Sequence, residues 1–448
     1  MRRFTWLLLA GVPSLLGAQG FGVYEHNTCT MGRGGVAAAR PCVDGSAIFF
    51  NPAGLAGLAG THLSAGVTAI HAQGGFTDDL FAKKTDLTNP TIPVPSGYFT
   101  YALSPKLTVG IGAYAPYGLE TKWPIAGFDG RFMGYNTKIH SIYVQPTIGY
   151  QIGDWLKVGV GVAYIHSTLE LHERLDLATQ SPAPGITFAS LGVLPGTDFG
   201  NADLSASGNG FAVNFGGIIK VTDRFSIGGH WVTKKTISYD GAAAFDQIPT
   251  GLTLAPNNPL GLPGGTPVDA ILASEFAAGG ALTDGAATTA IIMPPQGSLG
   301  FAYKVRDNWT VMADYQYVVW GWFQSVVIKF TNPATPTLTL SPKSKDTHGV
   351  RLGTEYEPSP KLTLRGGYLY HTASSPVDFV TPLLPEAPRN EFTAGVGYTF
   401  TPKLHGDFAY QYIAQQDRRG RVFPPPVSNT GVYEFSAHLF GAGLAYTF

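Results

Sequence analysis

Few residues in this 448-residue chain are spaced for covalent chemistry. His172-Glu173 opens like a zinc-protease helix, but no second histidine follows at the spacing that sets two imidazoles on one face, and no Gly-x-Ser-x-Gly turn occurs. Gly32-Arg33-Gly34-Gly35 offers backbone N–H groups to a phosphate, yet no Gly-Lys-Ser/Thr follows and no buried strand precedes it. Cys29 and Cys42 are the only cysteines; neither has a Cys or His at zinc spacing, and His26 stands alone. No metal, cofactor or catalytic residue is therefore expected. In an oxidising compartment the even count favours a disulfide closing a loop of about 13 residues; the alternative is two unpaired small hydrophobes.

Binding chemistry has more candidates. A carboxylate needs a buried cation, and Arg389, Arg365 or Lys234 could supply it. Val268, Ile271, Leu272, Phe276 and Ala277 recur at helical spacing inside the Gly- and Pro-rich stretch 241–288, while Ile186, Phe188, Leu191, Val193, Leu194 and Phe199 enrich the stretch 173–205. Such apolar loop surface either captures a hydrophobic ligand or packs against a neighbouring loop.

The elements that would position these residues are strands. Charged residues make up only 13% of the chain, about half the share usual in soluble domains, while 27 Phe, 21 Tyr and 7 Trp argue against disorder. A net charge of −1 offers no field for nucleic acid. Met1-Arg2-Arg3, the apolar run Phe4 to Leu16 and the small residues Gly17-Ala18 read as an export signal over 1–18, too short to span a bilayer as a helix. After it, alternation with period two dominates: Phe392, Ala394, Val396, Tyr398 and Phe400 oppose Glu391, Thr393, Gly395, Gly397 and Thr399.

Fourteen such runs can be counted, from 61–72 to 431–448, the third at 106–115 and the ninth at 308–330. Most reach the length that a tilted strand needs to cross an outer membrane. Six tight turns, from Ser104-Pro105-Lys106 to Thr401-Pro402-Lys403, alternate with long loops. The expectation is an all-β fold: a multi-pass transmembrane antiparallel barrel of about fourteen strands in the outer membrane, over 61–448. Asp314, Arg351, Glu355, Arg365 and Asp407 would face its lumen. Tyr433, Phe435 and Leu439 are odd-numbered, whereas the later aromatics of the last run are even, which reads as a bulge near Leu439-Phe440.

Residues 19–60 are too rich in Gly and Ala for a strand. They hold Gly32, Arg33 and Gly34, then Asn51-Pro52-Ala53; Ala115-Pro116-Tyr117-Gly118-Leu119 follows the third run, and Leu384-Pro385-Glu386-Ala387-Pro388-Arg389 comes later. In these features the chain resembles the FadL-type outer-membrane transporters of long-chain fatty acids and aromatic hydrocarbons. The resemblance implies an N-terminal hatch (19–60) filling the barrel, passive uptake of hydrophobic small molecules caught by outer loops, and release through a wall opening at the third strand. Pro116 lacks a ladder donor and Gly118 relaxes the backbone, with Tyr117 between them, so pairing should fail there; the plainer reading is that Pro116 ends the strand. The family places Asn51 near the opening, where it would bond freed backbone groups; a structural turn is the plainer reading. A general porin would lack the hatch, and an outer-membrane lipid-modifying enzyme is the more distant alternative. Expected partners are the ligand, outer-membrane lipid and the barrel assembly machinery through the terminal Phe448, with the chain a monomer.

Overall fold

The computed structural model describes residues 20–422 and 430–448; the leader read at 1–18 lies outside the described residues. The wall begins with β1 (Thr61–Asp78), β2 (Ile92–Ser104), β3 (Leu107–Lys122), β4 (Asn136–Ile152), β5 (Leu156–Asp176) and β6 (Asp198–Lys220). Two interrupted strands follow, β7 (Phe225–Val232 with Lys235–Gln247) and β8 (Gly285–Met293 with Gln296–Arg306). The ring is completed by β9 (Trp309–Val318), β10 (Thr347–Ser359), β11 (Leu362–His371), β12 (Arg389–Thr401), β13 (Leu404–Gln415) and β14 (Thr430–Thr447). Every neighbour in this order pairs antiparallel, and β1 also pairs with β14 from His62↔Thr447 to Asp78↔Gly431, so the sheet closes as a barrel of fourteen strands. Closure matters because lipid offers no partner to an unpaired backbone group.

Alternation sorts the side chains as read. On β12, Phe392 and Phe400 are each 53% exposed on the outward face, while Glu391 between the inward positions is fully buried. All six short turns join consecutive strands where expected.

Three expectations need correction. The third strand does not stop at residue 115 but continues to Lys122. The run 308–330 divides, because the chain turns inward at Trp320–Trp322, and Val326–Phe330 then pairs with Ala287 and Thr288 of β8. No bulge interrupts β14: its register with β1 and β13 is continuous, with Tyr433 and Leu439 buried inward while Phe440, Leu444 and Tyr446 face outward. The apparent slip arises because the inward face becomes apolar toward the long-loop end. Of the two readings of the loops, packing is what is seen. Val268 and Leu272 of α3 (Val268–Phe276) form one buried cluster with Leu177 and Phe188 of the neighbouring loop and Phe199 at the start of β6.

The N-terminal segment carries α1 (Thr28–Gly32) and α2 (Ala47–Phe50) and is hydrogen-bonded to strands around the ring. Asp314 of β9 accepts from Ala37 N and Ala38 N at 2.8 and 2.9 Å, Asn214 of β6 donates to Phe49 O at 2.7 Å, and Thr393 of β12 donates to Gly32 O at 3.3 Å. Glu355 of β10 gathers Arg365 at 2.8 Å, Arg40 at 3.1 Å and Arg33 at 3.7 Å, and Arg365 also reaches Asp407 at 2.5 Å. Glycine allows the close fit: a Cβ on Gly228 would lie 2.2 Å from Ala38 O, and one on Gly159 2.2 Å from the Pro52 carbonyl carbon. Cys29 and Cys42 are joined by a disulfide.

In detergent the chain should migrate as a heat-modifiable barrel, and a helix-dominated circular dichroism spectrum would contradict the fold. Glu355→Ala should loosen the N-terminal segment by about 3 kcal/mol, because it strands buried guanidinium groups. Limited proteolysis should then cut within 20–60 before the wall; an unchanged digestion pattern would mean that the cluster adds nothing.

Candidate functional site

β2 and β3 pair from Ser104↔Leu107 only as far as Gly97↔Ala113. Beyond that point β2 stays with β1 up to Ile70↔Ile92, while β3 stays with β4 across a register shift between Tyr114 and Tyr117. Pro116 sits in that bulge. The two strands therefore part, and the wall has an unpaired edge along the outer half of β3. Part of that edge is met from inside: Pro116 O accepts from Val23 N at 2.9 Å, and Gly118 N donates to Phe21 O at 3.0 Å. The Phe21 ring in turn lies 4.9 Å from Trp320 and 5.9 Å from Tyr117.

Behind the gap lies a cavity of about 540 Å³, lined by Phe21, Ile70, Val94, Tyr117, Leu119 and Leu439 among other apolar groups. Of the residues that mimicked a phase slip in β14, Phe435 and Leu439 are part of this lining, while Tyr433 packs with Phe76 and Trp123. Its polar members include Glu25, Glu120, Glu386 and Arg389. Glu386 accepts from Gly20 N at 2.7 Å and from Ser374 Oγ at 2.7 Å, tying the segment's first described residue to the 372–388 loop. Gln411 bridges Glu25 at 3.2 Å and Glu391 at 2.5 Å. Burial, then the neighbouring Glu391, pushes the Glu25 carboxyl above the usual range.

The residues singled out from sequence separate into two places. Pro116, Tyr117 and Gly118 lie at the gap. Gly32, Arg33 and Gly34 lie against β10 to β12, where Arg33 meets Glu355. Asn51, with Pro52 and Ala53, is away from the gap: it accepts from Ala53 N at 3.1 Å and donates to Ala38 O at 2.6 Å and Gly217 O at 3.2 Å. Those bonds cap the turn Pro52–Leu55 and hold it to β6, so the Asn51 side chain bonds none of the freed backbone groups at the gap.

The proposed carboxylate contacts also divide. Arg365 is enclosed by Glu355 and Asp407 and does not line the cavity, and Lys234 lies 4.0 Å over the Trp322 ring. Arg389 does line it, but donates to Glu391 at 2.7 Å within reach of Glu25 and Glu386. Sequence reading missed Lys235, a fully inward lysine whose Nζ donates to Tyr117 Oη at 3.2 Å and Pro294 O at 3.4 Å. Its signal was the Pro294-Pro295 pair, which marks the matching interruptions of β7 and β8.

Comparison with known proteins agrees with this architecture. The long-chain fatty acid transport protein of Escherichia coli strain K12 is 24% identical over 472 residues, covering 99% of both chains. Among solved structures, a Pseudomonas aeruginosa FadL homologue matches with a TM-score of 0.80 at 18% identity, over 96% of this chain and 100% of that one. The toluene transporter TodX of P. putida matches with a TM-score of 0.70 at 18% identity, over 97% and 99%. The family model described as "Outer membrane protein transport protein (OMPP1/FadL/TodX)" matches residues 9–448. A closed barrel with its lumen occupied, matched by that model over almost its whole length, belongs to the OMPP1/FadL/TodX family of outer membrane transport proteins.

Proposed function

We propose that this barrel takes up hydrophobic molecules passively, with 1–18 as the export leader, 19–60 as the hatch and 61–448 as the wall, and releases them sideways between β2 and β3. The observation that carries this reading is the apolar cavity standing directly behind the place where ladder pairing stops. A ladder gap costs little where the segment 21–23 satisfies part of the freed edge, so the opening can persist in lipid. Pro116, Tyr117 and Gly118 form the exit, while Gly32, Arg33, Gly34, Asn51, Pro52 and Ala53 fix the hatch. Phe448 serves the assembly machinery, lipid surrounds the wall, and the chain works as a monomer.

The relatives' names offer two ligand classes, long-chain fatty acids and toluene. The cavity favours an uncharged molecule. Its one lining arginine, Arg389, is already matched by Glu391, and Glu25, Glu120 and Glu386 add only acids. Lys235 favours the carboxylate reading, since no carboxylate pairs with it among the described residues, but Tyr117 lines the cavity and Lys235 does not.

Two experiments separate route from ligand. In the register that Gly97↔Ala113 would continue, Pro95 faces Ala115. Cysteines at both positions should lock the wall when oxidised and abolish uptake of a labelled monoaromatic hydrocarbon, with recovery on reduction. Undiminished uptake with the bridge formed would exclude the sideways route. For the ligand, the native cavity should bind the hydrocarbon in preference to an ionised fatty acid. Tyr117→Ala should uncover Lys235 and strengthen fatty-acid binding about tenfold, equivalent to ~1.4 kcal/mol, and Lys235→Met in that background should cancel the gain. Tight fatty-acid binding by the native chain, insensitive to Lys235, would reverse the assignment.

A further inference from the structure

The seam that closes the ring carries two histidines directly opposite each other, His71 on β1 and His438 on β14. Both lie on the outward face, His71 exposed and His438 partly covered. Beneath them, Val67, Phe440 and Leu444 are 43%, 48% and 57% exposed and form the lipid-facing band, so the pair stands at its edge toward the long loops. Gln73 and Ser436, the next outward pair, complete a small polar square on an otherwise apolar wall.

The hydrogen bonds on the two rings are those that imidazole ligands of a metal ordinarily have. Nδ1 of His438 is 2.8 Å from Tyr410 Oη, and Nδ1 of His71 is 3.2 Å from Thr91 Oγ1. In the tautomer whose Nδ1–H donates to that hydroxyl, the Nε2 lone pair is left for a metal. Gln73 Nε2 lies 3.5 Å from His438 Nε2, and rotating that amide would bring its oxygen to the same point. Directly opposed residues set their Cβ atoms about 5 Å apart, a span that two imidazoles can close on one ion with metal–nitrogen distances of about 2.0 Å. What sets the pair apart is the facing histidine: His166 lies opposite Ile142 and Asn209, and His348, whose Nδ1 also meets a tyrosine hydroxyl, lies opposite Tyr317.

We propose that His71 and His438 form a binding site for an imidazole-preferring divalent cation, Zn(II) or Cu(II), that clasps the first strand to the last. Gln73 and water would complete the coordination.

The test uses the full chain in detergent, free of any histidine tag and stripped with chelator. Titrated Cu(II) should occupy one site per chain with an electron paramagnetic resonance spectrum of two nitrogen donors, and prior loading with excess Zn(II) should slow its uptake. His71→Ala and His438→Ala should each remove that site, with His438→Gln as the milder replacement, while His166→Ala should leave it intact. Tyr410→Phe should keep the site but weaken it about tenfold. Zn(II) should also raise the temperature of the heat-modifiable shift in the native chain and not in the two histidine variants. No stoichiometric copper site in the native chain, or one that survives either histidine replacement in a heat-modifiable barrel, would overturn the proposal.

Discussion

A backbone that crosses lipid must find its hydrogen-bond partners within the protein, and this requirement governs the whole molecule. It closes β1 on β14, aligns fourteen strands in one ring and puts the turns outside the bilayer. It also gives the lapse between β2 and β3 its meaning. There the wall does not leave its edge empty: from within, the amide of Val23 donates to the carbonyl of Pro116 and the carbonyl of Phe21 accepts from the amide of Gly118. Proline at the bulge removes one donor that would otherwise need a partner, so the same residue breaks the ladder and lowers the cost of breaking it. The apolar cavity, the N-terminal residues and the gap in the ladder are thus one arrangement rather than three.

Inside the ring a second logic applies. The N-terminal segment lies so close to the wall that Gly228 and Gly159 have no room for a Cβ, and its remaining polar groups are met by inward charges. Asp314 receives two backbone amides, while Glu355 collects Arg33, Arg40 and Arg365. These are the charged residues that a water-filled porin would turn to solvent. Here they face protein, and ions in such a setting hold position more than they add stability.

How much of this could be read beforehand follows from which forces act locally. The wall was legible because lipid demands an apolar residue at every second position, and six tight turns punctuate the pattern. The signal failed where apolar packing and a cavity replaced water on the inner face: Tyr433 in an aromatic cluster and Leu439 at the cavity are both inward, so β14 looked out of phase. It failed again at Pro116, since a proline that stops a strand and one that sits in a bulge look alike until the partners on both sides are known. The site was less legible than the fold. The motif around Asn51 pointed to the segment correctly, but not to β6, and the commitment of Arg365 to Glu355 and Asp407 depends on residues tens of positions away. Lys235 had only the distant Pro294-Pro295 pair as a signal, because its significance comes from Tyr117, more than a hundred residues earlier.

The closeness of the glycine contacts has a consequence for how the molecule is made. A segment whose carbonyls touch the strand backbone cannot slide along the axis of a finished barrel, since each wall strand would have to yield in turn. Filling and closing are therefore coupled: the β1–β14 seam cannot reach its final register unless the segment already lies within the ring.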